Sequence, residues 1–337
     1  MSDVALPTTM RGIEIAEPGP PDVLRLAQLN VPEPRQHEVL VRVHAAGVNR
    51  PDVLQRLGLY PLPPDADPLP GLEIAGDVVA TGPSANRWRI GDRVMALTSG
   101  GGYAEFCRVH QDHCIAVPDS LDMIHAAAIP ETFFTVNYNV FMRAGLGKNE
   151  CLLVHGGSSG IGSTAIQMAK AHGSRVIVTA GSDEKCAFCR ELGADLAINY
   201  RTGDWVKAAL DFTDAAGVDV ILDMVAGDYV QKNLDCLGRD GRYSIIAFLR
   251  GAKTEINLRP ILARRLTLTG STLRPQTSEE KAEIARDLMA RFGDELQTAA
   301  IKPVIHQTFP LAAAAKAHGL MESSAHMGKI VLTVAAS

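Results

Sequence analysis

The sequence predicts an α/β protein, with a doubly wound parallel sheet in the middle of the chain and a mostly β segment before it. Three observations carry this. HGGSSGIG, residues 155–162, joins an apolar run at 151–154 to a small-residue amphipathic pattern. The β-branched run RVIVTA at 175–180 follows that pattern at the spacing of one βαβ unit. Helical patterns then separate further short apolar runs at 196–200, 218–223, 241–248 and 266–270. Apolar strands alternating with helices imply a parallel sheet with its ligand at the C-terminal strand edge.

In chain order, MSDVALPTTM (1–10) lacks the basic and long apolar parts of a secretory signal and reads as a short loose leader. Residues 38–48, 73–82, 91–97 and 103–110 alternate apolar and polar side chains amid proline and glycine, and read as strands. From about residue 122 helical patterns take over, the first at 131–145, and CLLVH (151–155) opens the parallel set. The closing stretch carries a polar helix at 277–292, a short alanine-rich helix at 311–317 and a strand at 329–334.

At 337 residues, 46% hydrophobic and 21% charged, the chain can bury a large core and form two domains. Its formal charge is −5 and its 33 basic residues are scattered, which leaves no electrostatic footprint for nucleic acid or an anionic membrane. No apolar run reaches membrane-spanning length, and the cytosol is the default compartment. Cys186 and Cys189, the one close pair among six cysteines, lie in a helical pattern and read as buried thiols rather than a zinc or redox pair. Disulfides are not expected.

Glycines at 157, 160 and 162 suit a tight turn, close approach of backbone to phosphate and packing of the following helix, whose first amides face the anion. The end of the second strand selects the dinucleotide. An Asp or Glu there would bind the adenosine ribose of NAD, but this chain runs Thr179, Ala180, Gly181, Ser182, Asp183, Glu184, Lys185. A close-approach glycine, a hydroxyl and a cation suit a 2′-phosphate, so NADP(H) is the better fit, with Tyr200 as a further donor. Asp183 opposes this reading, and a lysine in a first helical turn is often only solvated.

With these residues in view, the chain resembles the zinc-free medium-chain dehydrogenase/reductase superfamily, and within it the quinone oxidoreductases of the tumour-suppressor-inducible branch. The resemblance runs from about residue 11 to 334. It rests on AAGVNRPDVLQRLGLYPLPP (45–64), GLEIAGDVVATG (71–82), GDRVMAL, GGYAEF (101–106), AAAIPETFFT (126–135), GGSSGIG, TAGSDEK, LGADLAINY (192–200), LDCLGRDGR (234–242) and GKIVL (328–332). It implies a GroES-like β catalytic domain at 1–128 and 275–337, split by a Rossmann domain at 129–274. It also implies a homodimer that pairs cofactor domains.

Zinc relatives carry a ligand cysteine where this chain has Asn49 and a histidine where it has Leu72, and a site lacking both cannot assemble the three ligands of a catalytic zinc. No metal is therefore expected. Glu73 survives and reads as a hydrogen-bonded structural carboxylate. The resemblance places Asn49 and Tyr60 beside the nicotinamide, with Tyr60 able to bond the reduced oxygen, although a tyrosine in YPLPP also packs loops. Thr135 matches the position that bonds the nicotinamide carboxamide, and equally could only pack in its helix. The remaining implied cofactor contacts are Ser158, Gly160 and Ile161 in the phosphate turn, Ile246, Ala247 and Phe248, then Ser271, Thr272 and Leu273, and finally Lys329. Lys329 could also be merely solvated beside an edge strand.

Without a Lewis acid, the natural chemistry is hydride delivery to an acceptor that is already electrophilic. The leading expectation is an NADPH-dependent quinone reductase. Reduction of activated alkenes or 2-enoyl thioesters is the alternative within the fold. A non-enzymatic NADPH-binding protein, crystallin-like or RNA-binding, is the alternative of another class.

Overall fold

The structure is a computed structural model that describes residues 6–64 and 66–334. The chain opens with β1 (Thr9–Ile15), β2 (Leu24–Asn30) and β3 (Glu38–Val48), followed by helix α1 (Arg50–Arg56). Four strands come next: β4 (Glu73–Thr81), β5 (Arg93–Leu97), β6 (Phe106–His110) and β7 (Cys114–Ala116). After α2 (Met123–Ala126) and α3 (Pro130–Val136) the strands are β8 (Cys151–His155), β9 (Arg175–Ala180), β10 (Leu196–Asn199), β11 (Val218–Asp223), β12 (Leu237–Ile245) and β13 (Thr267–Gly270). Between these strands run α4 (Gly160–His172), α5 (Asp183–Glu191), α6 (Trp205–Phe212), α7 (Tyr229–Cys236) and α8 (Arg259–Arg264). The last elements are α9 (Ser278–Gln297), β14 (Ile305–Pro310), α10 (Ala314–Ser323) and β15 (Lys329–Thr333).

Strands β8 to β13 form a six-stranded sheet in the order β10-β9-β8-β11-β12-β13, every neighbouring pair parallel. This is the doubly wound dinucleotide topology, with its crevice where the order reverses between β8 and β11. The second sheet runs β14-β15-β3-β4-β5-β7, with β6 on β3. Its β14 and β15 come from the far end of the chain, so the cofactor unit is an insertion into the β part.

Three expectations need correction. Of the leader, residues 1–5 lie outside the described residues, whereas Thr9 and Met10 begin β1, and Met10 is buried against Leu40 and Phe106. The strand expected at 241–248 begins at Leu237, directly after α7, and ends at Ile245. Its pairing partners, β11 and β13, end at Asp223 and Gly270, so residues 246–248 leave the sheet at its C-terminal edge.

The helix expected at 131–145 is α-helical only to Val136 and then π-helical over Asn137–Arg143. Asn139 explains the change. Its Nδ2 donates to the Thr135 carbonyl at 2.9 Å, the acceptor its own amide would use in an α-helix, and the Ala144 amide bonds Asn139 five residues back. Helix α9 lays Ile284, Leu288, Phe292 and Leu296 into the same core as Phe133 and Phe141. All six cysteines are buried free thiols.

Candidate active site and cofactor crevice

Strand β3 pairs antiparallel with both β4 and β15, and this brings Asn49, Glu73 and Lys329 together. Asn49 caps α1, and its amide donates to Asp52 Oδ2 at 2.8 Å in a capping box. Its side-chain Nδ2 donates to Glu73 Oε1 at 2.9 Å, while its Oδ1 accepts from Lys329 Nζ at 2.5 Å. Lys329 Nζ also meets Glu73 Oε1 at 2.6 Å, and Glu73 Oε2 accepts the Glu131 amide at 2.8 Å. Lysine and glutamate are both fully buried, which corrects the solvated reading of Lys329. Room for the carboxylate comes from Gly47, where a Cβ would lie 1.9 Å from Glu73 Oε1.

The same lysine reaches the phosphate turn. A Cβ at Gly160 would meet Lys329 Cδ at 2.6 Å, and the Gly328 amide donates to the Ser158 carbonyl at 2.8 Å. The left-handed residue of the turn is Gly156, with φ of +74°, ahead of the three glycines singled out in the sequence. Gly157 instead presses on Val178 of β9, where a Cβ would come within 2.6 Å. Ser159 caps α4, accepting from the Gly162 amide at 3.0 Å, and half-buried Ile161 follows in the first turn, whose amides suit a pyrophosphate.

Tyr60 is half-buried, with the Arg274 guanidinium 5.7 Å from its ring centre. Arg274 is buried, donating to Gln55 Oε1 at 2.8 Å and to the Ser99 carbonyl at 3.0 Å. Burial raises the Tyr60 phenol, and the negative charge of Glu131 raises it further. Asp52 is pushed up to about 6 by burial, against the bonds it accepts from the Asn49 and Gly71 amides. Glu131 is pushed up to about 8, again by burial, which outweighs the attraction of Lys329. Asp52, Glu131 and Arg274 were not picked out from the sequence. The Asn-x-x-Asp spacing of a capping box was the available signal for Asp52, and no comparable signal marks Arg274.

Thr135 is buried one turn beyond Glu131 on α3, and its carbonyl is held by Asn139. Asn139 Oδ1 accepts from Ser244 Oγ at 3.0 Å and from Ser271 Oγ at 2.9 Å, so one amide ties α3 to the ends of β12 and β13. At that sheet edge the Ile246 amide bonds the Asp223 carbonyl at 2.8 Å. Ala247 and Leu273 are half-buried, and Phe248 and Thr272 are exposed.

At the far end of the crevice, Ser182 caps α5, its Oγ accepting from the Lys185 amide at 3.2 Å. A Cβ on Gly181 would lie 3.0 Å from the Tyr200 hydroxyl, so glycine, serine and tyrosine are grouped. Lys185 Nζ is not simply solvated, for it donates to the Ser324 carbonyl at 2.6 Å beyond α10. Its pKa is lowered by partial burial and then by Arg201, a second cation missed from the sequence. Asp183 turns aside, accepting from Asn199 Nδ2 at 2.9 Å.

A nucleotide crevice at the switch point of a parallel sheet, facing a β domain with buried polar groups, defines a nicotinamide-dependent oxidoreductase of the medium-chain dehydrogenase/reductase class. Residues 35–119 match the alcohol dehydrogenase GroES-like domain, and residues 160–291 match the zinc-binding dehydrogenase family. A quinone oxidoreductase of Rattus norvegicus is 35% identical over 96% of this chain and 97% of its own, and one of Pseudomonas aeruginosa is 33% identical over 95% and 98%. The solved CurK enoyl reductase superposes with a TM-score of 0.86 at 26% identity, covering 98% of this chain and all of that one. The chain belongs to the quinone oxidoreductase family, and it is an oxidoreductase.

The zinc of the wider family does not fit here. Asn49 and Leu72 supply neither thiolate nor imidazole, and the Lys329 ammonium already occupies Glu73. Among the described residues no group of three His, Cys, Asp or Glu is placed to hold a metal ion.

Proposed function

We propose that the protein catalyses NADPH-dependent reduction of a quinone without a metal. The carrying observation is the cluster in which Lys329, rather than a dication, sits on Asn49 and Glu73. Lacking a Lewis acid, such a site relies on an acceptor that is electrophilic by itself and on its orientation. NADPH, when bound, supplies the hydride. Thr135, Ser271 and the 246–248 edge hold the nicotinamide end, Ser158, Gly160 and Ile161 the pyrophosphate with the Lys329 stem packed behind the turn, and Gly181, Ser182, Lys185 and Tyr200 the 2′-phosphate. Tyr60 donates its hydroxyl to the acceptor oxygen, and Asn49 fixes the cleft wall.

A second reading, reduction of activated alkenes, is favoured by the superposition on an enoyl reductase. NADPH oxidation against ortho-quinones, para-quinones, enals and enoyl thioesters separates the two. Turnover with quinones well above the others supports the first reading, and enal or thioester turnover alone overturns it. We further propose a cytosolic homodimer joined along the edge strand β13, supported by exposed Leu258, Leu262 and Leu268 beside it. Light scattering of the purified chain tests the pairing.

A further inference from the structure

We propose that Glu131 is the acid that protonates the reduced acceptor, a step that rests on the quinone-reductase reading above. α3 begins at Pro130, so Glu131 stands in its first turn and Thr135 follows four residues later, the spacing that puts two side chains on one helix face. Thr135 is assigned to the nicotinamide carboxamide, so this face borders the reacting carbon. The Glu131 backbone amide donates to Glu73 Oε2 at 2.8 Å, which sets the residue beside the Asn49–Glu73–Lys329 cluster of the cleft wall, and its charge acts on the Tyr60 phenol. Glu131 therefore stands between the helix face of Thr135 and the cluster that walls the cleft.

Glu131 is 8% exposed, and its carboxyl bonds no protein group among the described residues, whereas its backbone amide holds Glu73. The carboxyl oxygens are not among the enclosed atoms that lack a partner, so the carboxyl opens to the cleft and is completed by what enters there. The charged and titratable groups around it are Lys329 from β15, Glu73 from β4, Asp52 from α1 and Tyr60 after α1, with Arg274 facing Tyr60 and Asp52. Burial dominates, Lys329 opposes it, and Glu73 and Asp52 add repulsion, so the carboxyl keeps its proton up to about pH 8.

The step balances. Hydride from the nicotinamide oxidises the cofactor and reduces the quinone to a hydroquinone monoanion. The O–H bond of Glu131 then breaks as a new O–H bond forms on that oxyanion. The carboxylate left behind recovers a proton from water.

The test is the kcat–pH profile with an ortho-quinone for wild type, Glu131→Gln and Glu131→Asp, alongside NADPH affinity by fluorescence. Wild-type kcat should fall above about pH 8, and Glu131→Gln should lose that limb with a drop of about 100-fold at neutral pH. NADPH affinity should stay within about two-fold, because no cofactor contact is removed. Glu131→Asp should keep a displaced limb, and it carries the test if the glutamine variant fails to fold. An active wild type whose profile both variants reproduce overturns the role of Glu131 alone. A wild type inactive on every quinone overturns the quinone reading, and this step with it.

Discussion

Lys329 and Glu73 form a fully buried ion pair at 2.6 Å that joins the last strand of the chain to β4 and leans on the phosphate turn at Gly160. A pair of this kind is costly to break singly, because the remaining charge stays buried without its partner. Glu73→Gln or Lys329→Met should each destabilise the protein by about 3–5 kcal/mol, and the double variant by less than their sum. Urea denaturation of the three variants checks this.

Lys185→Ala should weaken NADPH by about ten-fold or more while NADH changes little, since a charge-assisted phosphate contact is worth about 1.5–3 kcal/mol. Loss of the bond to the Ser324 carbonyl would loosen the end of α10, but that affects both cofactors alike. Dissociation constants for both cofactors decide it: equal affinities in wild type, or equal losses in the variant, remove the 2′-phosphate assignment.

Tyr60→Phe should slow quinone reduction by about 1–3 kcal/mol of transition-state stabilisation and leave NADPH affinity nearly unchanged. Arg274 would keep its place over the phenylalanine ring, which isolates the hydroxyl. Turnover equal to wild type with several quinones would make Tyr60 a packing residue.

The purified protein should carry no stoichiometric zinc and keep its activity in chelator, because Asn49 and Leu72 stand at the ligand positions and Lys329 neutralises Glu73. Elemental analysis measures this. About one metal per chain, lost together with activity, is the opposing result.

The contribution of Asp52 and Glu131 to stability should fall as pH rises from about 4 to about 8, against the opposite contribution of the buried His113, His318 and His326, whose pKa values burial lowers. Asp52 and Glu131 both have folded pKa values above their ordinary ones, about 6 and about 8, so their protonated forms favour folding. That contribution is complete below the unfolded values and is lost as pH climbs through the folded ones. Glu131→Gln should remove the Glu131 part of this dependence, so the melting temperature of the variant should gain on that of wild type between about pH 5 and about pH 8.5.

Much of the architecture was legible in the sequence because it is local. The runs at 38–48, 151–155, 175–180 and 218–223 are strands with those bounds, since apolar periodicity reports burial wherever neighbours in sequence share a fate. The hairpin β1–β2 and the strand β14 carry weaker alternation and went unseen. The π-helical turn depends on one side-chain amide capturing the Thr135 carbonyl, which no periodicity encodes.

The candidate site divides the same way. Sequence by itself determined the βαβ unit, the glycine turn, the missing ribose carboxylate and the absence of two zinc-type ligands, because each is a matter of which residue stands at a local position. Tertiary structure decided the environment. Lys329 lies 256 positions from Glu73, and only the pairing of β15 and β4 with β3 buries the two together. Likewise the raised Glu131 carboxyl, the cover of Arg274 over Tyr60 and the reach of Lys185 to Ser324 arise from desolvation and charge among residues remote in sequence. Such energies depend on distance in space, and the chain order does not contain it.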